Sequence, residues 1–169
     1  RALDTDTMQK DALALFDTAL TDLVETRERE GSELATFIGQ RCEAIRALVA
    51  ELRVMMPEIL EKQRATLVER VQALAVELDP TRLEQEVALL TQKADVDEEL
   101  DRLGAHVNEV ERVLATDEQK GRRLDFLMQE LNREANTLSS KSIVVETTRS
   151  AVDLKVLIEQ MREQIQNIE

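Results

Sequence analysis

Apolar residues recur three and four positions apart along almost the whole chain. Leu13, Phe16, Leu20 and Leu23 are followed by Leu34, Ile38, Ile45, Leu48, Leu52 and Met56, the spacing of a helix with one apolar stripe. Gly31 and Gly39 weaken this stripe without ending it. Met56-Pro57 predicts the first boundary, because proline lacks a backbone donor and disfavours helix in the residue before it. Pro57 then opens a second helix through Ile59, Leu60, Leu67, Val71, Leu74 and Leu78. Asp79-Pro80-Thr81 predicts the next break, with Asp79 as N-cap and Pro80 at the first helical position of one long helix reaching near Ala115. Gly121 closes a polar connection, a fourth helix covers about 122–137, and Ser139, Ser140 and Ser142 mark a loop. The fifth helix carries Ala151, Leu154, Ile158, Met161, Ile165 and Ile168, a heptad seam that needs a partner helix from this chain or from a second subunit. The pattern predicts an all-α fold: an extended helical hairpin over 1–79, then a compact multi-helix domain over 80–169.

Composition narrows this reading. The 169 residues are 43% hydrophobic yet contain three Phe and no Trp or Tyr, so the core is built from aliphatic side chains. A net charge of −13 spread evenly would repel nucleic acid. It is not even: residues 120–142 hold Lys120, Arg122, Arg123, Arg133 and Lys141 against Asp125, Glu130 and Glu134, a local basic site on an acidic body. Cys42 stands alone, which excludes an intrachain disulfide and fits a reducing cytoplasm. No uncharged run approaches the roughly 18 residues of a membrane span, and no export signal opens the chain, so no membrane partner is expected. The first residue is Arg1 rather than Met, from which a further segment upstream is expected.

Two polar helix faces carry the candidate chemistry. On one helix, Asp95, Glu98, Glu99, Arg102 and His106 share a strip with Glu84 upstream. Carboxylates three and four residues apart can converge on a hard divalent ion such as Mg²⁺ or Mn²⁺, which relieves their repulsion and can activate water. The same strip also reads as a solvated ion-pair ladder through Arg102. His106, the single histidine, suits proton transfer or metal ligation, although a lone histidine on a charged face is more often merely exposed. Apolar residues on both flanks of the strip predict a helix sandwiched between neighbours. In the fourth helix Leu124, Leu127, Met128, Leu131 and Ala135 share the core side, with Arg122, Asp125, Gln129, Asn132 and Asn136 opposite. Those amides and guanidinium groups either grip phosphates and orient carboxylates or form a buried network that sets helix register. Glycine-rich phosphate loops, Cys/His zinc spacings and nucleophile elbows are absent from the sequence, and aromatics are too few for a base-stacking single-strand reader.

The segments Asp95-Val96-Asp97-Glu98-Glu99-Leu100-Asp101-Arg102-Leu103…His106, Gly121-Arg122-Arg123-Leu124-Asp125-Phe126-Leu127-Met128-Gln129-Glu130-Leu131-Asn132-Arg133-Glu134-Ala135-Asn136-Thr137-Leu138 and Leu154 to Glu169 resemble the C-terminal half of the YicC/YloC family of bacterial endoribonucleases, once called stress-induced proteins. The likeness is specific from about Arg82 onward and looser before it. It implies a metal-dependent hydrolase using Mn²⁺ or Mg²⁺ that cuts RNA internally in the cytoplasm, assembled as a ring-like homo-oligomer, a hexamer, with an N-terminal domain preceding Arg1. The implied roles put the metal on Asp95, Glu98, Glu99, His106 and Glu134. Catalysis falls to His106, Glu98, Glu99, Asp125 and Glu130. RNA contact falls to Arg102, Arg122, Gln129, Asn132, Arg133, Asn136 and Lys141. The competing reading is a non-catalytic helical clamp that delivers RNA to another nuclease.

Overall fold

A computed structural model of the chain describes residues 4–73, 80–116 and 119–166. Among these residues every regular element is helical: α1 (Thr5–Ala73), α2 (Pro80–Ala94), α3 (Asp97–Leu114), α4 (Gly121–Lys141) and α5 (Val145–Ile165). The fold is all-α, as the periodicity predicts. Residues 1–38 and 39–169 form two compact units. In the first, Asp4 caps α1 by accepting bonds from the Thr7 amide at 3.3 Å and the Thr7 hydroxyl at 2.6 Å. Its Leu13, Phe16, Leu20 and Leu23 are exposed.

The second unit departs from the expected hairpin, because α1 passes through Pro57 without a break. A proline inside a helix costs about 3 kcal/mol. Packing around it offsets that cost. Leu52 and Met56 are buried just before the proline, in a patch with Val96, Leu138, Ile143 and Thr147. Arg53 pairs with Asp101 of α3 across the same junction. Further up α1, Arg46 grips Glu111 with both terminal nitrogens, at 2.7 and 2.6 Å, and donates to Asn108 at 2.8 Å. These bonds raise the Arg46 pKa further and lower that of Glu111. One turn before Arg46 lies Cys42, whose thiol is pushed up to about 11 by burial first and by the Glu111 charge second.

The long helix expected from Pro80 to near Ala115 is two helices. Pro80 does open α2, while Asp79 lies outside the described residues. The chain leaves helical geometry at Asp95-Val96, where Val96 takes φ −120° and ψ 7° and is buried. The Asp95 carboxylate accepts the Asp97 amide at 3.1 Å and starts α3. The break explains the two apolar flanks: they belong to successive helices. α3, α4 and α5 then pack in sequence, with α4 touching both neighbours. Leu100, Leu103 and Val107 of α3, Leu127 and Leu131 of α4, and Leu154, Ile158 and Met161 of α5 are buried. The α5 seam therefore meets α4 of its own chain, and Ile168 lies outside the described residues. α4 extends to Lys141, taking in two of the serines expected in a loop, and ends at Ser142.

Candidate functional site

α3 and α4 lie antiparallel, and their polar faces meet along one seam. Four contacts mark its register: Glu99 with Lys141, Arg102 with Glu134, His106 beside Glu130 and Glu134, and Glu109 with Arg123. At the centre, one ligand atom each from His106, Glu130 and Glu134 lie within 4.8 Å of one another. Glu130 and Glu134 are one turn apart on α4, so their carboxylates reach the same point. Glu134 is 2% exposed, because its position falls in phase with Leu127, Leu131 and Leu138 on the core side of α4. A carboxylate buried there needs compensation. Arg102 stands nearest, with Nη1 3.5 Å from Glu134 Oε1, and it also bonds Glu98 one turn back on α3. Arg133 approaches Glu130 at 3.9 Å from the solvent side.

Two carboxylates and one imidazole suit a divalent ion that accepts both oxygen and nitrogen donors. Their spacing is slightly wider than one coordination shell, within reach of small rotamer changes. One feature fits a cation here: a carboxylate from the core face shares its space with an imidazole and a second carboxylate. His106, Glu130 and Glu134 fit a metal.

The metal set expected from sequence is only partly assembled. Glu98 reaches the cluster through Arg102 alone. Asp95 lies on the connection before α3, where its carboxylate accepts the Asp97 amide and its carbonyl accepts from Lys141 Nζ at 2.8 Å. Glu99 is buried on the same seam two helical turns from His106, where Lys141 Nζ meets both carboxylate oxygens at 3.0 and 2.9 Å. Glu98 and Glu99 point about 100° apart, as neighbours on any helix do, and Glu99 lies seven residues, about 10 Å along the axis, from His106, so the two acids serve different neighbours. Lys141, expected on phosphate, is committed to that ion pair.

On α4, Asp125 and Gln129 are joined at 2.8 Å, and Asn136 donates to Asn132 at 3.3 Å. Asp125 and Arg122 line a cavity of about 500 Å³ with Lys120, Ile165 and Gln166, away from His106. Asp125, Gln129, Asn132 and Asn136 are thus not gathered around the histidine, whereas Arg133 flanks it through Glu130. Sequence reasoning missed the Glu109 tie. Arg112 binds both Glu109 oxygens at 2.7 Å and Arg123 reaches Oε1 at 3.0 Å, and these two guanidinium groups draw the Glu109 pKa down to about 2. The signal available was an acidic residue at the α3 position facing the start of α4.

The family model described as "Endoribonuclease YicC-like, C-terminal" matches residues 52–169. A Haemophilus influenzae protein named "Probable endoribonuclease YicC" is 52% identical over 166 residues, covering 98% of this chain and 58% of that protein. A Clostridioides difficile protein of the same name is 38% identical over 154 residues, covering 89% of this chain and 53% of that protein. The chain spans about half the length of the curated relatives it matches. With a match over more than half its residues, the chain belongs to the YicC-like endoribonuclease family and corresponds to its C-terminal part.

Proposed function

We propose that this chain is the catalytic part of a metal-dependent endoribonuclease, with His106, Glu130 and Glu134 holding a divalent cation, Mn²⁺ or Mg²⁺. The observation that carries this reading is the convergence of those three side chains on the α3–α4 seam. The names of the relatives support RNA as the substrate. A bound divalent cation supplies charge neutralisation at a phosphoryl oxygen and a more acidic water. Around it, Glu98 steadies Arg102, and Arg102 offers a guanidinium to a phosphate while balancing Glu134. Arg133 and Arg122, both exposed on α4, grip the flanking backbone. The cytoplasmic setting, the homo-oligomeric ring and the contribution of an N-terminal domain belong to the same proposal. No helix of the described residues is long and apolar enough to cross a membrane.

The Arg102 pairing with Glu98 and Glu134 also favours a second reading, a clamp whose seam is held by ion pairs without a metal. One experiment separates the two. Purified protein is incubated with end-labelled RNA and Mn²⁺ or Mg²⁺, with and without EDTA. Chelator-sensitive internal fragments that fall about 100-fold or more in Glu134→Gln and His106→Ala are expected for the nuclease. RNA that is retarded but intact under every condition overturns it in favour of the clamp.

A further inference from the structure

Phe126 is 49% exposed on α4, and the residues one turn away on either side are polar: Arg122, Arg123, Gln129 and Glu130. An aromatic ring gains nothing there from the core, which α4 fills with Leu124, Leu127 and Met128. The exposed leucines of α1 do not resemble it, because they sit among other apolar residues of one stripe. The Arg123 guanidinium lies over the Phe126 ring, 5.9 Å from its centroid, and is itself held at 3.0 Å by Glu109. A flat, partly open ring is thus held on a helix face beside the exposed Arg123. Glu130 is one helical turn away, with Cβ atoms about 6 Å apart, so the ring lies beside the candidate metal centre.

Three Phe and no Trp or Tyr are too few for a run of stacking aromatics, but one position needs one ring, and we infer that Phe126 is it: a single nucleobase of an unpaired RNA stacks on its ring while Arg122 and Arg133 hold the adjoining phosphates. The inference rests on the proposed RNA-directed function and adds a positioning residue to it. A π-face accepts any base, so the contact fixes where the strand lies and not which sequence is chosen. The resulting preference is for unpaired strands, since a paired base offers its face only to its neighbours in the stack.

The chain has no Trp or Tyr, so Phe126→Trp introduces one fluorophore at the point of interest. The probes are a 2′-O-methyl oligoadenylate and an abasic phosphodiester strand of equal length, with binding followed independently by polarisation of a label on each probe. Oligoadenylate is expected to quench the indole emission and the abasic strand is not. Phe126→Ala should weaken oligoadenylate at least about fivefold with little change for the abasic strand, and Phe126→Trp should restore it. Binding of oligoadenylate without quenching, or with wild-type affinity in Phe126→Ala, overturns the inference and leaves the nuclease reading standing. An emission change that follows protein concentration and ignores RNA overturns it in favour of a subunit contact. Failure of wild-type protein to bind either probe removes both.

Discussion

Glu99 and Glu134 are both buried carboxylates on the α3–α4 seam, yet their surroundings make them different kinds of residue. Glu99 is closed: Lys141 meets both its oxygens near 3 Å, and the ammonium is completed by the Asp95 carbonyl. Glu134 is open: its guanidinium partner stands 3.5 Å away and is shared with Glu98, while His106 and Glu130 crowd the same space. A buried charge with a complete set of partners fixes structure. One whose partner is shared and more distant, next to other ligand atoms, has the less complete set, and the metal proposed above rests on that corner. Burial alone does not distinguish the two; completeness of pairing does.

Three measurements test the contrast. Lys141→Met leaves the Glu99 carboxylate buried and unpaired, and unfolding in urea should show a loss of about 3 kcal/mol, below the upper range for a broken buried pair because Lys141 is 29% exposed. Glu134→Gln should change stability by less than about 1 kcal/mol, as it removes a charge with one distant partner. Equal losses in both variants would erase the distinction between the corners. Next in size, saturating Mn²⁺ should raise the unfolding free energy by about 2.7 kcal/mol at a hundred times its dissociation constant. The same rise in Tm is expected in Glu99→Gln and none in Glu134→Gln, so a shift surviving in Glu134→Gln places the ion elsewhere.

The smallest effect concerns acid. Glu109 has its folded pKa depressed from 4.5 to about 2 by Arg112 and Arg123, so its stabilising pairing is fully present above pH 4.5 and is lost as pH falls through about 2. The stability gap between wild type and Glu109→Gln should therefore be constant near neutrality and close between pH 4.5 and 2. A gap that closes above pH 5 contradicts the double arginine clamp. In Arg123→Ala the closure should still begin near pH 4.5 and be complete at a higher pH than in the parent protein.

Much of this molecule is legible as sequence. The 3–4 spacing specifies helices and their buried stripes, including Leu124, Leu127 and Leu131 of α4 and Leu154, Ile158 and Met161 of α5. It fails at Pro57 and at Asp95. At Pro57 a local helix breaker is overruled by burial of Leu52 and Met56. At Asp95-Val96 the chain leaves helical geometry where Val96 is buried in a patch with Leu52, Met56 and Leu138, a tertiary contact invisible to periodicity. The site shows the same division. His106 and the paired Glu130 and Glu134 are conspicuous by residue type, whereas Glu99 lies two turns along α3 from His106, where Lys141 of α4 takes its charge, a pairing that periodicity does not show. Glu134 carried its own sign, an acid at the core phase between Leu127 and Leu138.

The sequence by itself determined the all-helical class, the apolar stripes and the residue types available for chemistry, since each depends on local spacing and side-chain identity. Tertiary structure decided that α1 continues past Pro57, that α3 begins after Asp95, and which acid meets which base across the antiparallel seam. Those outcomes depend on contacts between residues far apart in the chain, such as Glu99 with Lys141 and His106 with Glu134, whose energies outweigh any local preference.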